Sequence, residues 1–328
     1  GHPLHAGSSA AAAGRNSHCR SQWWRWRRRR WAAAVDANYH RPHQGLMIRQ
    51  TFRAMGTDIV VIANDVAGME ATRRLFHRNE CRFTSFAASS ELSWLNRQSG
   101  GSVEISAELA ALLSRAAELR RLTGGLVDPA VGSSVIAWGY DTSLESVTGL
   151  TANPDPLPTQ PWSVSERTVM RPAGVRFDLG GLAKGWTCDE AVESGRAVLV
   201  SAGGDIRSAT QNAIAELEDP LHPGSAARVA VGFGGLATSS TTRRRWRVGA
   251  GFAHHIVDPR SGRPAQTPVI TASATAASAV EAEAAAKAIL ISGVTGLEWA
   301  DGQPWIRGAL TCWDDGAIYA TGSLEMAA

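Results

Sequence analysis

Strand-like and helical segments follow one another in this chain without strict alternation, and that order restricts the fold more than any other feature. The segments are short β-branched runs, amphipathic helical patterns and a closing hairpin. We predict strands at residues 58–63, 175–179, 197–201, 227–233 and 269–275, helices at 65–81, 106–123 and 279–292, and a hairpin turned at 314–316. A doubly wound parallel sheet requires alternation, so we predict an α+β fold with a mixed sheet and packed helices.

The helix that begins at Ser106 has the clearest pattern. Its apolar residues recur at the spacing of one helical face and the run stops at a glycine pair, Gly124-Gly125. The alanine-rich segment near the end of the chain stops in the same way, at Gly293. Residues 142–168, which include NPDPLPTQP, predict an irregular surface loop.

Charge is distributed unevenly between residues 1–46 and the rest of the chain. The first 46 residues contain eight arginines and one acid, a net charge of +7, whereas the whole chain carries +3 and the remainder therefore −4. The central WWRWRRRRW has the composition of a nucleic-acid or membrane arm, or of a targeting segment. Low complexity and charge favour a disordered extension instead. We predict this extension at 1–46, one domain at 47–328, and no nucleic-acid partner.

Location is constrained by apolar runs and by cysteines. No apolar run approaches 18 residues, so no transmembrane segment is predicted. The WAAAV that follows the arginines is too short for the apolar region of a secretory signal. The four cysteines are far apart and form no CxxC pair, which argues against a zinc site or a disulfide scaffold and favours a reducing compartment. We expect a cytoplasmic protein.

The segment VRFDLGGLAKGWTCDE, residues 175–190, joins an apolar run to a helical pattern through a glycine-rich turn. Glycines allow backbone N–H groups to approach a phosphate, and a helix N-terminus favours anions. The spacing matches neither the GxxxxGK of a P-loop nor the GxGxxG of a dinucleotide-binding fold. These residues alone predict either a phosphate-binding turn or an ordinary strand, turn and helix.

Four other turns have the same character. Each joins an apolar run to acids, hydroxyls or bases: TGGLVDP (123–129), SAGGDIRS (201–208), ATSSTTRRRW (237–246) and HHIVDPRSG (254–262). One such turn has an ordinary explanation, because Asp beside Gly or Pro is common turn chemistry. Five turns of this kind in one domain indicate a functional cleft.

The order of these motifs resembles that of the ApbE-type flavin transferases. The resemblance extends over residues 50–323, from AMGT through SSELSWLN, TGGLVDPAVG, WGY, FDLGGLAKGW, SAGGDI, ATSS and HHIVDPRSG to the alanine-rich helix. It implies a single ApbE-like, T-fold-related α+β domain with a nucleotide cleft at the strand ends.

The same resemblance implies a Mg²⁺-dependent reaction in which FAD is split, FMN passes to a Ser or Thr of an acceptor flavoprotein, and AMP leaves. Such chemistry requires positive charge around two phosphates and a base near the acceptor hydroxyl. Two alternatives use the same cleft. One is FAD hydrolysis to FMN and AMP, and the other is a non-catalytic flavin-binding protein.

The resemblance also implies roles for individual residues. Contact with the flavin nucleotide is implied for Met55, Phe86, Leu126, Val127, Asp128, Asp178, Lys184 and Val257. A metal site is implied at the main-chain oxygen of Gly181 and at Glu283, and catalytic positions at His255 and Lys287. An imidazole of near-neutral pKa suits proton removal from a hydroxyl, although a structural histidine is the alternative for His255.

The closing helix departs from the family pattern. The family has an Asp and, four residues later, a Thr that face the metal, whereas this chain has Glu283 and Lys287. Glutamate is able to bind a hard cation, but a protonated lysine is not. The pair predicts a displaced or weakly bound metal, an ammonium that takes the place of part of the metal's charge, a lost metal site in a flavin-binding protein, or an ordinary i,i+4 ion pair.

Overall fold

The computed structural model describes residues 24–25, 47–141, 147, 149–151, 153–321 and 323–327. The predicted extension at 1–46 lies outside the described residues except at Trp24–Arg25, which form a two-residue strand, β1. Within the described residues, no helix is both long and apolar enough to cross a membrane.

The elements follow one another in the irregular order that the sequence predicts. The helices are α1 (Val66–Phe83), α2 (Glu91–Arg97), α3 (Ala107–Leu122), α4 (Gly132–Ala137), α5 (Ala183–Glu193), α6 (Ala279–Ser292) and α7 (Gly296–Asp301), with 3-10 turns at Pro129–Val131 and Gly293–Thr295. The main sheet contains β1 and, in addition, β2 (Ile48–Ala54), β3 (Thr57–Ala63), β7 (Leu199–Ala202), β8 (Asp205–Ala209), β11 (Phe233–Ser240), β16 (Val269–Ala276), β17 (Ile306–Trp313) and β18 (Ile318–Ala320). The smaller sheets contain β4 (Gly101–Glu104), β5 (Ser163–Ser165), β6 (Thr168–Arg171), β9 (Ile214–Glu218), β10 (Ser225–Ala230), β12 (Arg245–Val248), β13 (Gly251–His254), β14 (Val257–Asp258) and β15 (Arg263–Pro264).

The main sheet has nine strands in the order β1-β18-β17-β16-β11-β8-β7-β3-β2. Each pair of neighbouring strands in it is antiparallel. The predicted α+β class is therefore confirmed, but the expected mixture of parallel and antiparallel strands was wrong. Neighbouring strands are joined either by a hairpin or by a longer connection that reverses the direction of the chain. No crossover helix is therefore needed to bring parallel strands together.

Helix α6 lies at the centre of the core, against strands β11 and β16 and helix α5. Gly235 of β11 allows the start of this helix to approach the sheet closely, because a Cβ built on Gly235 would lie 2.4 Å from the backbone at Ser278 and Ala279. Ser278 and Glu281 form a reciprocal capping box at its start, and Gly293 ends it with a φ of +61°. The helix therefore has the predicted bounds and carries Glu283, whose side chain is buried.

Most other predicted elements are present. The helices near 65–81 and 106–123 begin after the side-chain caps of Asp65 and Ser106. The strands near 58–63, 197–201 and 269–275 and the hairpin turned at Gly316 also form.

Three predicted segments differ from the structure. Residues 175–179 form no strand, because their backbone groups bond to a side chain and to a turn instead of to a neighbouring strand. The Asn96 side-chain amide donates to the Phe177 carbonyl and accepts from the Phe177 N–H, and the Asp178 N–H donates to the Pro129 carbonyl. The 227–233 strand is two strands separated at Gly232, whose φ is +56°. The 142–168 loop, where it is described, contains β5 paired with β6.

Candidate functional site

A cavity of about 570 Å³ opens between the β2–β3 turn, the glycine-rich turn before α5, residues 255–259 and α6. Eleven of the twelve residues assigned by resemblance line it: Met55, Phe86, Leu126, Val127, Asp128, Asp178, Gly181, Lys184, His255, Val257 and Lys287. The twelfth, Glu283, lies directly behind two of them, since its Oε1 is 3.0 Å from both Lys184 Nζ and Lys287 Nζ. The structure thus brings together residues that are up to 232 positions apart in the sequence, from Met55 to Lys287.

The glycine-rich turn is held at both ends by hydrogen bonds. The Asp178 N–H donates to the Pro129 carbonyl at 2.7 Å, and Asp178 Oδ1 accepts the Gly180 N–H at 2.9 Å. Gly181 allows Lys287 to lie close against the turn, because a methyl group at this position would lie 2.6 Å from Lys287 Cε and the lysine would have to move. The turn therefore positions a carboxylate, a main-chain oxygen and the start of α5 along one wall of the cavity.

Two lysines and two carboxylates form a compact cluster at the base of this wall. Lys184 Nζ lies 2.7 Å from Asp205 Oδ2 and 3.0 Å from Glu283 Oε1. Burial acts to lower the pKa of Lys184, but the two carboxylates outweigh it and raise that pKa. Lys184 is therefore a permanent cation in the site.

Burial acts to raise the pKa of both carboxylates in the cluster, but their net pKa shifts have opposite directions. Burial and the charge of Glu283 raise the pKa of Asp205. Burial also acts on Glu283, but Lys184 and Lys287 overcome it and lower the pKa of Glu283 to about 2. Glu283 is therefore the firmly ionised member of the pair, and it is shared by both ammonium groups.

Lys287 joins the closing helix to the glycine-rich turn. Its Nζ donates to the Gly181 carbonyl oxygen at 2.7 Å and to Glu283 Oε1 at 3.0 Å. These oxygens belong to the two residues at which the family resemblance implies a metal. The i,i+4 pair is therefore formed, but it is largely shielded from solvent and lies at the cavity.

His255 follows strand β13 and lines the cavity near the cluster. Burial, and then the positive charges of Arg244 and Lys287, lower the pKa of His255 well below 6.5. The imidazole is therefore neutral at pH 7, and its Nδ1 is buried with no hydrogen-bond partner among the described residues. His254, in contrast, is held by the Ala265 carbonyl at 3.1 Å and by the Ile256 N–H at 3.3 Å.

Aromatic and apolar side chains also line the cavity. Phe86 is 47% exposed and contacts Tyr140 edge to face at 5.5 Å, and Tyr140 stacks on Trp246 at 5.2 Å. Met55 forms the β2–β3 turn with Gly56, and both have positive φ angles, 50° and 69°. The Met55 N–H donates to Glu80 Oε1 at 2.8 Å.

The carboxylate of Asp128 is already fully bonded within the protein. Its Oδ2 accepts from Arg120 Nε at 2.7 Å, and its Oδ1 accepts from the Trp162 indole and the Ala130 N–H, both at 2.9 Å. Asp128 is also buried. The side chain therefore fixes the turn before α4 and presents no free carboxylate oxygen to a ligand, so its part at the cavity is one of main-chain position.

Three residues of the site were not assigned from the sequence. Asp205 lies within the SAGGDIRS motif. An acid after a glycine pair marks this turn as a candidate for function, but the sequence does not show which residue the acid pairs with. Tyr140 lies in WGY, and Arg244 lies in the basic run before β12. Arg244 and Tyr140 line the cavity, and no acidic partner of Arg244 is found within the described part of the chain. The contacts that identify these residues are all long-range.

A second cavity of about 280 Å³ adjoins the first. Phe86, Tyr140 and Asp178 line both, and Arg97 and Arg176 lie on the second only. The two cavities share an aromatic lining, and cationic side chains line both. Such a lining suits a ligand that has both flat rings and anionic groups.

Known proteins resemble this chain in both sequence and fold. Residues 55–308 match the ApbE family. The FAD:protein FMN transferase of Rhodobacter capsulatus is 30% identical over 303 residues, which cover 84% of this chain and 57% of that protein. This chain therefore spans little more than half the length of that relative. The FAD:protein FMN transferase of Treponema pallidum is 29% identical, over 69% of this chain and 72% of its own.

Two solved structures show the same fold. The ApbE protein of Thermotoga maritima has a TM-score of 0.73 at 24% identity, over 83% of this chain and 96% of its own. The flavin transferase ApbE of Vibrio cholerae has a TM-score of 0.68 at 24% identity, over 85% of this chain and 98% of its own.

Proposed function

This chain belongs to the ApbE family, and from that membership we propose that it transfers FMN from FAD to a Ser or Thr hydroxyl of an acceptor protein. The bond between the bridging oxygen and the FMN phosphorus breaks, and AMP leaves with that oxygen. The acceptor oxygen bonds to the FMN phosphorus and gives up its proton. The observation that carries the proposal is the convergence of Lys184, Lys287, Arg244 and a neutral His255 on one cavity with an aromatic wall.

The cavity has a division of chemistry that fits FAD. Aromatic rings such as Phe86 are able to stack on a flavin or an adenine, and the exposed face of Phe86 leaves room for such contact. Met55, Leu126, Val127 and Val257 supply apolar surface beside it. Asp178 offers a carboxylate to ribose or adenine donors, and Lys184 fixes positive charge at the phosphate end.

His255 has the properties of a general base for the acceptor hydroxyl. A base must be unprotonated at the working pH, and the lowered pKa of His255 meets that requirement. The side chain lines the cavity, so an acceptor hydroxyl that reaches the phosphates is within the same space. His254 is already bonded to the main chain and does not line this cavity.

The residues present do not fit a magnesium ion. Mg²⁺ requires several oxygen ligands in octahedral arrangement and takes them from carboxylates, carbonyls and waters. The Gly181 carbonyl and Glu283 Oε1 are both bonded to the Lys287 ammonium, and Lys184 also contacts Glu283. Across the described ranges, no three His, Cys, Asp or Glu side chains are placed to share a metal. The proposed reaction therefore has no metal-dependent step.

Measurement of AMP release tests the proposed function. The purified protein is incubated with FAD, with and without a flavoprotein acceptor domain that offers a Ser or Thr site. Transfer predicts AMP only with the acceptor, together with an equal amount of FMN attached to it by mass spectrometry. AMP and free FMN without an acceptor would identify a hydrolase. FAD binding without AMP under either condition would identify a flavin-binding protein.

Replacing Asp178 with alanine is expected to weaken FAD binding by about 1–3 kcal/mol, since an acceptor held in place by the turn is lost together with its Gly180 hydrogen bond. Titration of flavin fluorescence measures the change. Asp155→Ala is the control, because Asp155 is exposed, pairs with Arg263 and does not line the cavity. Equal affinity of folded Asp178→Ala and the wild type would remove Asp178 from the binding site.

A further inference from the structure

We infer that the Lys287 ammonium occupies the position of a divalent cation in this chain, so that FAD is bound and cleaved without a metal. The inference rests on the proposed function, because it concerns the same cavity and the same phosphates. It follows from four observations: the oxygens that Lys287 contacts, the donor it has left, the charges around Glu283, and the packing of the lysine side chain.

Two of the oxygens that would bind a cation, the Gly181 carbonyl and Glu283 Oε1, are already bound to an ammonium, whereas the buried Glu283 Oε2 has no hydrogen-bond partner among the described residues. Lys287 Nζ lies 2.7 Å from the Gly181 carbonyl oxygen and 3.0 Å from Glu283 Oε1. These groups come from the turn before α5 and from α6, so the ammonium links two elements in the way that a bound cation would. Charge-assisted hydrogen bonds to a carboxylate are stronger than neutral ones, and this pair is shielded from water.

Lys287 also has a donor to offer to a ligand. A lysine ammonium has three N–H donors, and Lys287 uses two of them in these contacts. Lys184 is more fully engaged, because its Nζ contacts Asp205, Glu283 and, at 3.5 Å, the Gly180 carbonyl. Since Lys287 lines the cavity, its third donor is the one available to a phosphate oxygen.

The formal charges of the two lysines and two carboxylates cancel, but both ammonium groups lie at Glu283 Oε1 and oppose a cation at that oxygen. Glu283 is surrounded by two ammonium groups, and Arg244 adds a third positive side chain at the same cavity. A divalent cation would have to approach these charges at short range, where repulsion is weakly screened. The same positive charges favour a diphosphate.

Packing holds Lys287 in place. A methyl group on Gly181 would meet Lys287 Cε at 2.6 Å and Nζ at 2.8 Å, so the lysine fills the space beside the glycine. Its side chain is mostly buried between α6 and the turn. Little room remains at Gly181 for a hydrated ion in addition to the ammonium.

The test compares the wild type with Lys287→Thr and Lys287→Met. Threonine removes the ammonium and supplies a hydroxyl oxygen, whereas methionine keeps the approximate length of the chain but has no hard ligand atom. FAD affinity and AMP release are measured in EDTA and in excess Mn²⁺. Binding of Mn²⁺ is measured separately by electron paramagnetic resonance, with and without FAD, and circular dichroism melting checks that each variant is folded.

We expect the wild type to bind FAD equally in EDTA and in Mn²⁺, and to hold no stoichiometric Mn²⁺. Lys287→Thr should lose about 10- to 100-fold in FAD affinity in EDTA, since a charged donor is removed, and should regain it with one bound Mn²⁺. Lys287→Met should be weak in both conditions. A wild type that requires a metal and binds one Mn²⁺, a Lys287→Thr protein that gains none, or a Lys287→Met protein of wild-type affinity would each overturn the inference.

Failure of the proposed function is distinguishable from failure of this inference. If FAD binds but no AMP is released, the transferase activity is wrong, and the effect of EDTA on FAD affinity still decides the role of Lys287. If FAD does not bind at all, the comparison of Mn²⁺ binding by the wild type and Lys287→Thr decides it. The wild-type measurements require no variant to fold.

Discussion

Replacing His255 with asparagine is expected to lower the rate of AMP release with acceptor by about 10²- to 10⁴-fold, the usual contribution of a general base. The FAD dissociation constant should change little, because the proposed role of His255 is toward the acceptor hydroxyl. Single-turnover AMP release and flavin fluorescence separate the two effects. His254→Asn is the matched control: it removes a half-buried histidine with main-chain bonds and should leave the rate within a few-fold of the wild type.

The pH dependence gives a second view of His255. Its pKa in the folded protein lies well below 6.5, so the acidic limb of the rate profile should also lie below pH 6.5. The free energy of unfolding should also fall as the pH is lowered below about 6.5. The unfolded chain binds a proton near pH 6.5 and the folded chain does not, so this group stabilises the fold above that pH and destabilises it on acidification. An unchanged rate in His255→Asn would assign the base to another group.

Replacing Lys184 with methionine is expected to destabilise the fold at pH 7 by about 3–5 kcal/mol, because it leaves the buried Asp205 without a close cation and Glu283 with Lys287 alone. Asp205 and Glu283 are both buried, and Lys184 contacts each of them. Urea unfolding followed by tryptophan fluorescence measures the loss. The double variant Lys184→Met with Asp205→Asn is the control, since it removes the carboxylate that loses its cation and leaves the Glu283–Lys287 pair intact, so it should be less destabilised than Lys184→Met alone.

The sign of the pH effect on this variant follows from Asp205. Its pKa in the folded wild type is already raised, and the loss of Lys184 raises it further. A buried carboxyl with a raised pKa binds a proton more readily in the folded state, so the deficit of Lys184→Met should shrink as the pH falls and grow as it rises. A loss below about 1 kcal/mol at pH 7 would show that the cluster behaves like an exposed ion pair.

The fold could be predicted where local signals decide it. Helix α6 has the predicted bounds because Ser278, Glu281 and Gly293 fix its two ends within the sequence itself. The 175–179 segment could not be predicted, because its backbone partners are Asn96 and Pro129, which are distant in the sequence. Its apolar composition reflects burial, and composition alone does not distinguish a strand from a buried extended segment.

The site follows the same rule. Motif order was sufficient to select residues that line one cavity, including Asp178, His255 and Lys287. It did not reveal that Asp205 pairs with Lys184, or that Lys287 reaches Gly181, because both contacts are made between elements far apart in the chain. Asp128 shows the opposite limit: its motif position is the expected one, but its carboxylate is bonded within the protein.

A crystal structure of the protein grown with FAD and Mn²⁺, with an anomalous difference map at the manganese edge, tests the central claim most directly. The account predicts FAD in the cavity, its diphosphate within hydrogen-bonding distance of Lys287 Nζ, and no anomalous peak between the Gly181 carbonyl and Glu283. A manganese peak at those oxygens with Lys287 turned away, or FAD bound outside the cavity, would contradict it.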